Sequence, residues 1–143
     1  MISAHLKSYG TWEEDLLNQT GDFLKQYPDM TFLDLGCNVG VYTIFAGKLG
    51  IKVVSVDPVG NNLILLSKSV HAGRFAENVT LVLNAVSDEY KTVIVDIPKE
   101  NIGGAHIVND IKPEVSVHKA ETILLDDLVP YIGTNNVFIK NGC

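Results

Sequence analysis

"FLDLGCNVGVYTIFAGKLG", residues 32–50, runs from a short apolar segment through a glycine-bearing turn into a longer apolar segment. The first part reads as a buried strand. The part from Val39 to Leu49 is apolar on nearly all sides, as expected of a helix pressed against a sheet and covered by something else. Between them lies "DLGCNVG", Asp34 to Gly40. Glycines in such a turn let a backbone approach a ligand closely, and the helix that follows presents unpaired N–H groups at its start.

The pattern repeats on both sides. Upstream, "TWEEDLLNQTGDFLKQY" (residues 11–27) spaces Trp12, Leu16, Leu17, Thr20, Phe23, Leu24 and Tyr27 at helical intervals, with Thr11 and Glu14 as a capping box and Pro28 as the stop. Downstream, "KVVSVDP" is a β-branched run ending in Asp57 and Pro58 and reads as a second buried strand. "NNLILLSKSVHAG" reads as a helix capped by Asn61 or Asn62, with Gly73 near its end. "NVTLVLNAVS" (residues 78–87) gives a third strand. "KTVIVDIP" reads as a further strand or hairpin arm, "ENIGGAHIVND" as a glycine-bearing loop, and "ETILLDDLVPYI" as an extended segment leading into a short helix. A last strand begins at "NNVFIKNGC", residues 135–143. Alternating strands and helices predict an α/β fold, a Rossmann-like parallel central sheet with flanking helices, and a ligand site at the carboxyl ends of the strands.

Composition narrows the function. The chain has 143 residues, 46% apolar and 20% charged, which suits one folded domain. A formal net charge of -6, with no cluster of Lys and Arg, speaks against nucleic acid as the partner. Cys37 and Cys143 are the only cysteines, too few for a disulfide framework or a four-ligand zinc site. His5, His71, His106 and His118 show no metal-ligand spacing and no partner nucleophile, so no metal is expected. No 18-residue apolar run and no signal peptide stand in the sequence, so a cytoplasmic location is the default expectation, with a longer form free to carry a signal or anchor.

The spacing of glycines separates two cofactor classes. A dinucleotide fingerprint needs glycine at positions one, three and six, and here Asn38 and Val41 occupy the second and third of those places. Glycine falls instead at Gly36 and Gly40, with Asp34 two residues before Gly36. That arrangement resembles motif I of class I methyltransferases that use S-adenosylmethionine. Asp57, about 20 residues on at the end of the second strand, is placed to accept hydrogen bonds from ribose hydroxyls of either cofactor. Asn84, Ala85 and Val86 end the third strand, where an adenine edge would lie.

The ordered series "FLDLGCNVGVYTIFAGKLG", "VVSVDP", "VTLVLNAVSD", "NIGGAHI", "ETILLDDL" and "VFIK" resembles the FkbM family of methyltransferases from about Trp12 to Lys140. The resemblance implies S-adenosylmethionine as cofactor, with Gly36, Asn38 and Gly40 around its methionine part and Asp57 on its ribose. It implies O-methylation of a small-molecule or sugar-like acceptor, and a lid role for Trp12 and Glu13. Family members continue past the Ile-Lys of the last strand, so the resemblance also implies a single, incomplete domain over residues 1–143: an N-terminal helical segment (1–28) and a Rossmann-like core (29–143) lacking C-terminal strands. Activity of such a chain is expected to be impaired, and its open strand edge invites self-association. A non-catalytic cofactor-binding or protein-binding remnant is the alternative, and an NAD-dependent oxidoreductase the less favoured one.

Plainer roles stand beside these. Asp34 either braces the glycine turn or serves the cofactor. Trp12 fits a helix core as well as a lid. Cys37 is either a reactive thiol near a helix start or a small residue in a tight turn. Asp126 and Asp127 are expected on a solvated helix face.

Overall fold

The structure, a computed structural model, describes residues 13–97, 106–108 and 117–142. Thr11 and Trp12 lie outside them, as does most of the glycine-bearing loop expected over 100–110, within which 106–108 form a strand instead. The expected capping box of Thr11 and Glu14 does not form: the first helix begins at Glu14 itself, after Glu13 in left-handed backbone and with no side-chain cap. In chain order the elements are α1 (Glu14–Gln26), β1 (Thr31–Leu35), α2 (Val41–Lys48), β2 (Lys52–Val56), α3 (Gly60–Ala72), a 3₁₀ turn (Ala76–Asn78), β3 (Val79–Val82), β4 (Ala85–Val86), β5 (Thr92–Asp96), β6 (His106–Val108), β7 (Val117–Ile123), a 3₁₀ helix (Leu125–Tyr131) and β8 (Val137–Asn141).

Two sheets result. The first is parallel throughout, in the order β3-β2-β1-β8. Its residues alternate between faces, as the pleat requires. Phe32 and Val53 pack with Leu17, Leu24, Tyr42 and Ala46 of α1 and α2. Leu33, Val54 and Val56 form the opposite face and pack against Leu128 of the 3₁₀ helix, with Ile123, Ile132 and Val137 alongside. Helix α3 adds Leu63, Leu66 and Val70, which meet Cys37 and Phe75. Phe138 of β8 stacks on Phe32 with ring centroids 5.7 Å apart and meets Phe23 of α1 at 5.1 Å. The expected α/β Rossmann-like architecture is therefore present. Strands β1, β2 and β3 step in one direction while β8 lies on the other side of β1, so the order reverses there, and a crevice opens at such a switch point.

The second sheet has the order β4-β7-β5-β6, with β4 and β7 parallel and the other pairs antiparallel. "KTVIVDIP" is thus a hairpin arm, as one of its two readings had it. The single third strand expected over residues 78–87 is instead two strands in different sheets. The break falls at Leu83 and Asn84: Asn84 Nδ2 donates to the Glu121 carbonyl at 3.0 Å, and Ala85 is buried with Val59, Val93, Val95 and Ala120. Packing against the hairpin overrides the local strand pattern.

The start of α3 also differs from expectation. The residue before the helix is Val59, not Asn61 or Asn62. Asp57 Oδ1 accepts the Val59 N–H at 2.9 Å, so the acid holds the residue that precedes the helix, the helix itself has no side-chain cap, and Asn62 turns inward.

Gly40 fixes how closely α2 and α3 approach. Its φ is +81°, and a Cβ there would lie 2.3 Å from Leu66 Cδ1, while Leu66 itself is fully buried. Gly40→Ala should therefore lower unfolding free energy by about 2–4 kcal/mol, from the left-handed backbone and the overpacking together. Measured by urea unfolding, the Gly40→Ala/Leu66→Ala pair should lose less than the two single changes added; strict additivity would show that the two residues do not constrain each other.

Candidate functional site

The carboxyl ends of β1, β2 and β8 meet around the glycine turn. Gly36 (φ 67°), Asn38 (φ 55°) and Gly40 (φ 81°) all take left-handed backbone. The N–H groups of Gly36 and Cys37 both donate to the Val56 carbonyl, at 2.9 and 3.1 Å, which ties the turn to β2. Asn38 tolerates its conformation because its own Oδ1 accepts the Val39 N–H at 2.7 Å. Gly40 N–H donates to the Cys37 carbonyl at 2.8 Å. Helix α2 starts after Gly40, which has no side chain to cap it, and within its first turn the Thr43 backbone donates to the buried Asp34 carboxylate.

Asp57 holds this turn from the neighbouring strand. Its Oδ2 accepts the Asn38 N–H at 2.8 Å. Its Oδ1 accepts the Val59 N–H at 2.9 Å and Asn62 Nδ2 at 3.1 Å. The carboxylate is 5% exposed. A carboxylate oxygen accepts about two hydrogen bonds, so Oδ2 keeps one acceptor direction.

A second polar chain runs beneath the turn. Asp34 lies opposite Ser55 on β2 and opposite Lys140 on β8, and it is fully buried. Thr43 Oγ1 donates to Asp34 Oδ2 at 2.8 Å and lies 2.6 Å from Ser55 Oγ. Thr43 has one proton and gives it to the carboxylate, so Ser55 must be the donor to Thr43. Lys140 Nζ stands 3.3 Å from Asp34 Oδ1, an ion pair. The same ammonium lies 4.9 Å from the centre of the Tyr42 ring, and Tyr42 donates its hydroxyl to Glu13 Oε2 at 2.8 Å. Burial pushes the Asp34 carboxyl above the usual carboxylate range, with Lys140 and Thr43 pulling the other way. Burial, then the Glu13 bond, raises the Tyr42 hydroxyl.

Cys37 resolves in favour of its plainer role. It is buried, and burial together with the nearby charges of Asp34 and Asp57 pushes the thiol well above its ordinary value. Such a thiol is a poor nucleophile. Among the described residues no group of His, Cys, Asp and Glu is arranged to hold a metal.

The expected site residues therefore fall into two groups. Asp34, Gly36, Asn38, Gly40 and Asp57 gather at the switch point. Asn84 stands apart on a depression of about 400 Å³ that begins at Pro58 and Gly60 and continues past Leu83 to His118, Lys119 and Glu121. Ala85 lies behind it in the core. The switch point thus brings together a positive-φ glycine turn and a second-strand acid with an acceptor direction to spare, features that fit an S-adenosyl cofactor, and Pro58, the residue after that acid, lines the depression.

No family model matches this chain, and no curated protein matches it. Solved structures with a similar chain trace include a protein designated an rRNA methylase from Clostridium thermocellum (23% identity, TM-score 0.42, covering 48% of this chain and 40% of that one). TehB from Haemophilus influenzae is 16% identical with a TM-score of 0.43, covering 91% of this chain and 54% of that one. The glycopeptide N-methyltransferase MtfA, complexed with sinefungin, is 12% identical with a TM-score of 0.40, covering 80% of this chain and 73% of that one. The chain thus spans about half or less of the first two.

Sequence reading missed Thr43, Ser55, Asn62, Tyr42 and Lys140. The first two carried a signal: each is the single aliphatic hydroxyl in a largely apolar run, "VYTIFAGKL" and "KVVSVDP". Two outcomes follow from the burial of these groups. Iodoacetamide should leave Cys37 unmodified in the folded chain and label it after denaturation, as mapped by mass spectrometry. Because the folded pKa of Asp34 lies above its unfolded value, its contribution is complete below the ordinary carboxylate range and is lost as pH rises through the raised value. The stability difference, wild type minus Asp34→Asn, should fall over that window; a difference that climbs with pH would mean that Lys140 outweighs burial.

Proposed function

We propose that this chain supplies the S-adenosylmethionine site of an FkbM-type methyltransferase that acts on an oxygen of a small-molecule or sugar-like acceptor. The observation that carries the reading is the bond from Asn38 N–H to Asp57 Oδ2. It joins a methyltransferase-spaced glycine turn to the second-strand acid at the switch point of a parallel sheet. The ordered resemblance along nearly the whole chain points the same way. Gly36, Asn38 and Gly40 would surround the methionine part, Asp57 would take the ribose, and Asn84, with Pro58 and Leu83, would border the adenine while Ala85 backs it. Asp34 braces the turn through Thr43 and Lys140.

Bound S-adenosylmethionine would supply an electrophilic methyl group on a sulfonium. The chain's own task is to hold the cofactor rigidly, since methyl transfer depends chiefly on alignment with the acceptor oxygen. A net charge of -6 gives no general attraction to a phosphate backbone, which favours a small acceptor over nucleic acid.

Isothermal titration with S-adenosylhomocysteine tests the reading. Saturable binding is expected, and none of NAD. Asp57→Asn, checked for folding by circular dichroism, should weaken binding about tenfold or more, because a charged acceptor is lost. Unchanged affinity in a folded variant would remove Asp57 from the site. Binding without methyl transfer to any of a panel of hydroxyl acceptors would favour the non-catalytic alternative.

A further inference from the structure

Asp57 by itself has too few acceptor directions for a ribose. Both directions of Oδ1 are filled, by the Val59 N–H and Asn62 Nδ2. Oδ2 has one filled by the Asn38 N–H and one left. A cis-diol brings two hydroxyl donors.

A second acceptor lies next to it. Asn62, in the first turn of α3, is 2% exposed. Its Oδ1 is buried and makes no hydrogen bond among the described residues. The amide cannot be turned round, because the atom facing a carboxylate oxygen must be a donor, so Nδ2 is held by Asp57 and Oδ1 is the free branch. A buried acceptor without a donor is destabilising and uncommon. Pro58 and Gly60, two of the four residues between this acid and this amide, line the open depression.

Resting on the nucleoside reading above, we propose that Asn62 is the second reader of the ribose. Asp57 Oδ2 accepts one hydroxyl and Asn62 Oδ1 accepts the other, so the pair recognises an intact cis-diol and rejects a deoxyribose. The amide is a specificity-determining residue, and its bond to Asp57 sets the angle between the two acceptors.

The test is isothermal titration of wild type and variants with S-adenosylhomocysteine and with its 2′-deoxy and 3′-deoxy analogues. Wild type should bind the parent compound about tenfold or more tightly than either analogue, the scale of one lost hydrogen bond. Asn62→Leu should erase the preference for the parent compound over one of the two analogues while the preference over the other persists. Asn62→Ser, which keeps a smaller hydroxyl, is the second variant and should retain part of the preference. Equal weakening of the parent and both analogues would show that Asn62 only positions Asp57 and would overturn the proposal, as would a wild type that binds all three alike. A folded wild type that binds none of them overturns the nucleoside reading as well, so the two failures are told apart.

Discussion

The Asp57 carboxylate takes donors from three places: the Asn38 N–H of the glycine turn, the Val59 N–H ahead of α3, and the Asn62 side chain within α3. Hydrogen bonds to an ionised group are each worth about 1.5–3 kcal/mol. One side chain therefore sets the end of β2, the shape of the turn after β1 and the starting point of α3. Val59 carries the tie further, since its side chain packs with Ala85, Val93, Val95 and Ala120 of the second sheet. The acid thus orders the glycine turn by bonds within the chain itself, and a prearranged turn would spend less binding energy on ordering.

The row Lys140–Asp34–Ser55, half-buried at the lysine and buried at the other two, does a different job. A buried ion pair is weak evidence for stability, because desolvation offsets much of the attraction. It is strong evidence for register. A one-residue slip of β8 against β1 would move Lys140 to the opposite face, leave Asp34 buried without a cation, and swap Phe138 off the Phe32 ring. Tyr42 and Glu13 extend this row to the start of α1, so the first helix is fastened to the site by a polar contact as well as by its apolar stripe.

Much of the fold was legible because its signals are local. The apolar runs at β1 and β2, the glycine spacing at Gly36 and Gly40, and the acid at Asp57 each announce themselves within a few residues. What was not legible depends on distant partners. The third strand divides at Leu83 and Asn84 because Glu121, far along the chain, receives the Asn84 amide. Asn62 reads as a cap until Asp57 is seen to serve Val59 first. Asp127 reads as a solvated acid, yet it accepts the Leu124 N–H and the Tyr90 hydroxyl, each at 2.9 Å. The pairing of Lys140 with Asp34 needs the strand order, which no local pattern states.

The strand order also dictates when the site can exist. The Thr31–Thr134 hydroxyl pair beside the β1–β8 seam spans 103 positions of sequence. Such long-range pairing is slow to form, because the chain must close a large loop before the contact repays it. A ribosome adding about 5–20 residues per second delivers β1, β2 and β3 several seconds before β8. During that interval one edge of β1 is open to any other strand, and Asp34 waits without its lysine. The glycine turn and Asp57 can assemble early, while the floor beneath them is completed last. For the newborn chain, the period of greatest exposure to misassembly is set by the position of a single late strand.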